Sequence, residues 1–197
     1  METRKTKAHT RAAIGLAIAL TCAASARADG EFFQLDIAED ATDASLSIAR
    51  GQLSFDAGYT RYEGGSSGHV SLLWSIPVEG LGTVKLGPSV AHSFSDTASD
   101  ETQLGAKVAL ERWAPTSFGH IFVLGNYSTN DNDYFGLVQT GFGNSGFATE
   151  FSVGGSDKYS SVVAAVSKRL GDGPYVLRAG YKFKAETFFV GFAVNTF

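Results

Sequence analysis

His69 and Ser71 stand two residues apart in Gly68-His69-Val70-Ser71, and that spacing places both side chains on one face of a β-strand. An imidazole beside a serine hydroxyl is the minimum equipment for nucleophilic catalysis, the ring taking the hydroxyl proton as the oxygen attacks. The sequence assigns no third group to orient the pair. Val70, Leu72, Trp74 and Ile76 alternate with them, so His69 and Ser71 belong to the face opposite the apolar one. His92 and His120 fall in other runs without metal-ligand spacing. The single Cys, Cys22, excludes a disulfide framework and any CxxC zinc site. No metal site and no cofactor is expected.

A second set of chemistry-bearing residues is electrostatic. Asp36, Asp56, Glu111 and Glu150 stand against Lys85, Lys107, Arg178 and Lys182, all on the polar faces of strand-like runs. Four acids facing four bases can pair with one another, as buried charges need to. An excess of one sign would instead mark a selective pore. If these eight line a lumen, it is either ion-paired and narrow or weakly selective. Small residues on the same faces, Gly58, Gly105, Ser152, Gly154 and Gly180, argue against a completely filled interior.

Elements that could present such residues follow from the hydrophobic rhythm. After Asp29 no stretch keeps a helical apolar period for three turns, whereas period-two alternation recurs, as in Leu53, Phe55, Ala57 and Tyr59 or Leu104, Ala106, Val108 and Leu110. The breaks alternate in kind. Polar, acidic breaks fall at Glu39–Asp43, Glu63–Ser67, Ser95–Glu101, Ser128–Asp133, Gly155–Lys158 and Lys184–Glu186. Tight Gly- or Pro-containing breaks fall at Arg50-Gly51, Pro77–Gly82, Trp113–Ser117, Gly143–Gly146 and Gly171–Pro174. Between them lie twelve runs: 31–38, 44–49, 52–62, 67–77, 82–94, 102–112, 117–127, 134–142, 147–154, 159–170, 175–183 and 187–197. The first two are short and Arg50-Gly51 is a weak turn, so ten strands is the alternative.

Charge distribution separates a membrane barrel from a soluble sandwich. Only 18% of the residues are charged, against roughly 25% in globular proteins, and the non-apolar faces are largely Gly, Ser, Thr and Ala. A closed barrel turns its apolar face to lipid and satisfies every backbone group internally. Most runs approach the 9–11 residues a tilted strand needs to cross a bilayer. Tyr62, Trp74, Trp113, Phe118, Tyr127, Tyr134, Tyr159 and Tyr175, near run ends, suit aromatic girdles at the two interfaces. The fold class is therefore all-β, an antiparallel transmembrane barrel, with residues 29–197 as its single domain. A net charge of −4 leaves no footprint for nucleic acid.

Residues 1–28 read as a secretory signal peptide. Arg4, Lys5, Lys7 and Arg11 form a basic segment, Ala12 to Ala24 is apolar, and Ala26-Arg27-Ala28 places small residues ahead of a cleavage site near Ala28. Its removal takes five bases and one acid, carrying the formal charge from −4 to −8.

The run Thr187 to Phe197 ends on Phe and resembles the C-terminal assembly signal of Gram-negative outer-membrane β-barrels. That resemblance implies an outer-membrane location, insertion by the barrel-assembly machinery with Phe197 as the signal, and a surround of lipid and lipopolysaccharide. Counting back by twos from Phe197 meets Asn195 and Gly191, while Phe188, Val190, Phe192 and Val194 form the more apolar face, so either face of that strand could meet lipid. His-x-Ser also resembles the pair in outer-membrane phospholipase A and the lipid A deacylases, but His69 and Ser71 point away from the lipid face where those enzymes work. Three functions are therefore expected in order: a small passive diffusion channel or envelope barrel without enzymatic activity, an accessory barrel for export of exopolysaccharide or another envelope polymer, and a lipid hydrolase using His69 and Ser71. The partner of the first two is a small solute or a polysaccharide.

Overall fold

The computed structural model describes residues 29–197, so the expected signal peptide lies outside the described residues. Within them the chain forms twelve antiparallel strands: β1 (Gly30–Ala38), β2 (Ala41–Arg50), β3 (Leu53–Tyr62), β4 (Gly65–Val78), β5 (Gly82–Ser95), β6 (Glu101–Thr116), β7 (Gly119–Ser128), β8 (Tyr134–Phe142), β9 (Phe147–Gly155), β10 (Ser160–Arg169), β11 (Tyr175–Lys182) and β12 (Thr187–Asn195). Each pairs with its neighbours in sequence, and β12 returns to β1, from Phe32 opposite Asn195 to Ala38 opposite Phe189. The sheet is thus a closed barrel with no free edge among the described residues, which satisfies the ladder hydrogen bonds of every strand on both sides.

The alternative of ten strands fails at Arg50-Gly51. Gly51 takes a left-handed φ of 56°, open to a residue without Cβ, and its N–H donates to Asp29 Oδ1 at 2.7 Å. The two-residue link Gly51-Gln52 separates β2 from β3 cleanly. β2 is also longer than its apolar pattern suggests, starting at Ala41 and taking Asp43 out of the acidic loop into the sheet.

Alternation sorts the side chains onto two walls. The outer wall is apolar and uncovered: Leu104 is 82% exposed, Phe188 78% and Val190 66%. The inner wall holds the residues with least exposure, Leu73 at 0% and Phe189 at 3% among them, together with Ser54, Ser71, Ser89 and Ser167. A soluble protein rarely leaves so large a continuous apolar surface facing water. The open question about β12 is thereby answered: Phe188, Val190 and Phe192 face outward, while Phe189 and Ala193 are buried on the inner side. Phe197 lies beyond the end of β12, its ring filling the space a Cβ on Gly30 would need. Thr196 N–H donates to Glu31 O beside it at 2.9 Å, so both ends of the described chain meet at one rim, the rim of the tight turns.

Of the aromatic residues expected in girdles, Trp74, Tyr127, Tyr134 and Tyr175 are exposed on the outer wall near strand ends. Trp113 is a correction. It lies two residues from inward Glu111 and opposite Phe122 across the β6–β7 ladder, and its ring stacks on inward His120. The continuous register from Glu111 carries Trp113 inward, where the mouth of the barrel takes the place of an interface with lipid.

Candidate functional site: the inner wall

All eight charged residues singled out from the sequence lie on the inner wall, and the register explains how they meet. Arg178 on β11 sits opposite Gly191 on β12, which in turn sits opposite Asp36 on β1. Because the intervening residue is glycine, the guanidinium and the carboxylate reach over it. A Cβ on Gly191 would stand 2.1 Å from Asp36 Oδ1. Arg178 Nε lies 2.9 Å from Asp36 Oδ1, an ion pair set off the hydrogen-bond axis. Arg178 Nη1 donates to Glu150 Oε2 at 2.9 Å and to Gln34 Oε1 at 2.7 Å. Gln34 Nε2 donates to Asp36 Oδ2 at 2.9 Å and Gln139 Nε2 to Glu150 Oε1 at 3.1 Å. The side chains of Arg178, Asp36 and Glu150 are all more than nine-tenths buried. One cation thus holds two desolvated carboxylates, and two amides occupy the remaining oxygens.

Lys85 pairs with Glu111 at 2.8 Å between the adjacent strands β5 and β6. Lys182 pairs with Asp43, whose other oxygen accepts a hydrogen bond from Thr60 Oγ1 at 2.8 Å. Asp43 was assigned by its sequence to the acidic loop, and its inward place is the clearest miss in the site. Alternation with Ser45 and Ser47 on the polar face of β2 is the signal that finds it. Five acids, Asp36, Asp43, Asp56, Glu111 and Glu150, therefore face Lys85, Lys107, Arg178 and Lys182. Asp56 accepts a hydrogen bond from Ser47 Oγ at 2.7 Å, and among the described residues neither it nor Lys107 joins an ion pair.

These pairs do not cross the lumen. Arg178 and Asp36 are two strands apart in the barrel order, Arg178 and Glu150 two, Lys182 and Asp43 three, and Lys85 and Glu111 one. A bridge to the opposite wall would span six. Large neutral side chains also lie along the wall. Added Cβ atoms on Gly58, Gly141 and Gly180 would strike the rings of His69, His120 and Phe189 at 2.3, 2.1 and 2.6 Å. Gly58 and Gly180 are therefore not spare volume, as the sequence suggested; like Gly141 they are slots that a neighbouring ring occupies. Ser45 and His69, both inward, remain exposed.

His69 and Ser71 occupy the inner wall together. The Ser71 hydroxyl is buried without a hydrogen-bond partner, and Ser71 is opposite Asp56 on β3. No described residue links the imidazole to this hydroxyl. His120 is inward near the tight-turn rim, whereas His92 stands on the outer side near the polar-loop rim, its Nδ1 2.7 Å from Thr102 Oγ1.

At the polar-loop rim, three connections are tied into one cluster, and nothing in the sequence pattern foretells it. The β7–β8 connection turns into the barrel: Asn130 is 4% exposed, and its Nδ2 donates to Ser89 Oγ at 3.0 Å. Gly105 is the slot, since a Cβ there would stand 2.0 Å from Asn130 Oδ1. Lys158, from the β9–β10 loop, bridges Glu101 Oε2 at 2.8 Å and Asp131 at 3.0 Å. Hydrogen bonds to Glu101 first, then to Asp131, raise the Lys158 ammonium above its ordinary 10.5. Burial pushes the Asp133 carboxyl up, against the hydrogen bond donated by Tyr159 at 2.9 Å. A lysine with a raised folded value adds stability fully present below its ordinary value and lost as pH rises through the raised one. An NMR titration of the Lys158 Cε resonance is expected to have its midpoint above 10.5, with Glu101→Gln moving it down. A wild-type midpoint at or below the ordinary value contradicts the bridge.

No family model matches this sequence, and no curated protein matches it either. Among solved structures, the barrel is similar to that of a KdgM porin, with a TM-score of 0.54 over 84% of this chain and 98% of that one, at 8% identity. At that identity the likeness speaks for architecture: the chain has the fold of a small twelve-stranded porin-type barrel.

Proposed function

We propose that this chain is a passive diffusion channel of the Gram-negative outer membrane, without enzymatic activity, for small hydrophilic solutes. The observation that carries the reading is the arrangement of the inner wall. Its ion pairs join strands one to three apart and the rings of His69, His120 and Phe189 lie in glycine slots, so these side chains follow the circumference and no ion pair among the described residues spans the barrel. The apolar outer wall supplies the contact with lipid that a transmembrane barrel requires. Twelve strands fall between the eight whose interior side chains fill and the 16–18 of wide aqueous porins, which fits a narrow pore. The name of the similar solved structure, a porin, supports the same reading.

In this reading the tight-turn rim faces the periplasm and the polar loops face outward. Lipopolysaccharide surrounds the outer leaflet, and the barrel-assembly machinery inserts the chain. Near-balanced wall charges favour weak ion selectivity. The buried Ser71 hydroxyl and the inward direction of His69 oppose the lipid-hydrolase alternative, because neither reaches the outer wall where a lipid would lie.

Osmotic swelling tests the reading. Proteoliposomes containing the folded barrel are expected to swell in isosmotic arabinose and glucose, faster for the smaller sugar, while protein-free liposomes do not. Swelling equal to that of empty liposomes for every solute overturns it and favours the accessory role in polymer export.

A further inference from the structure

The β7–β8 connection folds into the polar-loop mouth of the barrel against unfavourable local terms. β7 stops at Ser128, opposite Lys107, whereas β6 runs on to Glu101. Residues Glu101 to Ala106 have no partner on β7. The connection takes that place. Thr129 N–H donates to Ala106 O at 2.9 Å, and Asp131 N–H donates to Gln103 Oε1 at 2.8 Å. Asp131 and Asn132 both hold a left-handed φ, 52° and 51°, where a Cβ crowds the backbone. Asn130 Oδ1 is buried with no hydrogen-bond partner among the described residues, which adds a desolvation cost.

What offsets these costs lies at the rim. Lys158 Nζ stands 2.8 Å from Glu101 Oε2 and 3.0 Å from Asp131 Oδ1. Asp157 N–H donates to Asp131 O at 2.9 Å, and Asn132 Nδ2 donates to Asp157 Oδ2 at 2.7 Å. β7 and β8 stand between β6 and the β9–β10 loop that carries Lys158, so the lysine closes a chord over the ends of two strands. The side chains of Lys158 and Glu101 are 47% and 52% exposed. Ion pairs as exposed as this contribute little each and are screened by salt. The Arg178 cluster differs, because its three charged side chains are more than nine-tenths buried and screening barely reaches it. A strained turn and an orphaned amide oxygen thus oppose a pair of screened bridges. Both sides of that balance are small, so a modest change in the bridges redistributes the connection between two positions.

We propose that the β7–β8 connection is an electrostatically latched strap. Held by Lys158, it lies in the polar-loop mouth against Ser89 and Gly105. When the bridges are screened or removed, it lifts and the mouth widens. Its effect on flux rests on the channel reading, whereas the movement itself needs no conductance, so the two can fail separately.

Ser89 reports the position of the strap. It is 4% exposed, and its Oγ lies 3.0 Å from Asn130 Nδ2 and 3.2 Å from Ser128 Oγ. Ser89→Cys places a thiol of similar size beneath the connection, and Cys22→Ala removes the one native thiol. N-ethylmaleimide is small and uncharged, so salt acts on the strap and not on the reagent. In the folded, detergent-solubilised barrel it is expected to label the Ser89→Cys thiol slowly at ~0.1 M sodium chloride. At ~1 M, where the screening length falls from about 10 to about 3 Å, labelling is expected to be at least about tenfold faster. Adding Lys158→Met is expected to give the fast rate at low salt and to remove the salt response. Gly105→Ala is expected to do the same with Lys158 intact, since its Cβ would stand 2.0 Å from Asn130 Oδ1. In planar bilayers at low salt, Lys158→Met is expected to raise the unitary current. A low-salt labelling rate that Lys158→Met leaves within about twofold of its parent overturns the latch, as does a salt response of equal size with and without Lys158. Slow labelling of the Gly105→Ala barrel also overturns it. If Lys158→Met speeds labelling of a barrel that passes no current, the latch stands and the channel reading falls.

Discussion

Replacing Arg178 with alanine is expected to destabilise the barrel by about 3–5 kcal/mol, because removing one partner leaves the other charges of a buried cluster uncompensated. The wild-type guanidinium contacts Asp36, Glu150 and Gln34 together, with both carboxylates nearly as buried as the arginine. Alanine leaves two desolvated carboxylates two strands either side of the gap and strips Gln34 Oε1 of its donor. Midpoints of guanidinium-chloride unfolding in detergent measure the loss. The triple variant Arg178→Met, Asp36→Asn, Glu150→Gln, which removes all three charges while keeping approximate volume, is expected to recover most of it. If Arg178→Ala unfolds within about 1 kcal/mol of wild type, the cluster is not a structural unit. The same substitution makes the wall more acidic, so channels that still form are expected to shift their reversal potential toward cations.

Val190→Arg is expected to cost about 2–4 kcal/mol in lipid vesicles, the price of a cationic side chain near the middle of a bilayer. Val190 is 66% exposed and stands opposite Ile37 and Ala179 on the outer wall. For a barrel in water, a substitution at so exposed a position would change stability by about 0.5 kcal/mol or less. Ser45→Arg supplies the contrast, since Ser45 is exposed but inward and a charge there faces the lumen. Equal tolerance of both substitutions in vesicles would place the outer wall in water and remove the membrane from the account.

Much of this architecture was legible in the sequence because a β-strand writes its two environments on alternate residues. Val70, Leu72, Trp74 and Ile76 announced the outer wall of β4, and the two kinds of break announced two rims. The eight charges named from the sequence share the face of the sheet opposite Leu104, Phe188 and Val190, because parity alone sets their side. Asp43 escaped, since an acid at the third position of a strand looks like loop until the pairing partner is known; its fixing contact, Lys182, is 139 residues away. The same limit hid the Arg178 cluster, whose members come from β1, β9 and β11. Trp113 was misplaced because position near a run end suggests a girdle, and only the unbroken register from Glu111 shows that the strand still alternates there. The inward turn of Asn130 depends on an empty position at Gly105, a residue 25 places earlier. Glycine slots filled by a neighbouring strand are facts of register, and composition cannot show them.

Unitary conductance in planar bilayers tests the central claim most directly. Purified, folded barrel is expected to give stable, repeated current steps of one size, with weak ion selectivity, and Glu150→Lys is expected to move the reversal potential toward anions. A barrel that inserts fully, as judged by resistance to heat and protease, yet passes no current at any applied potential would contradict a lumen left open by side chains lying along the wall.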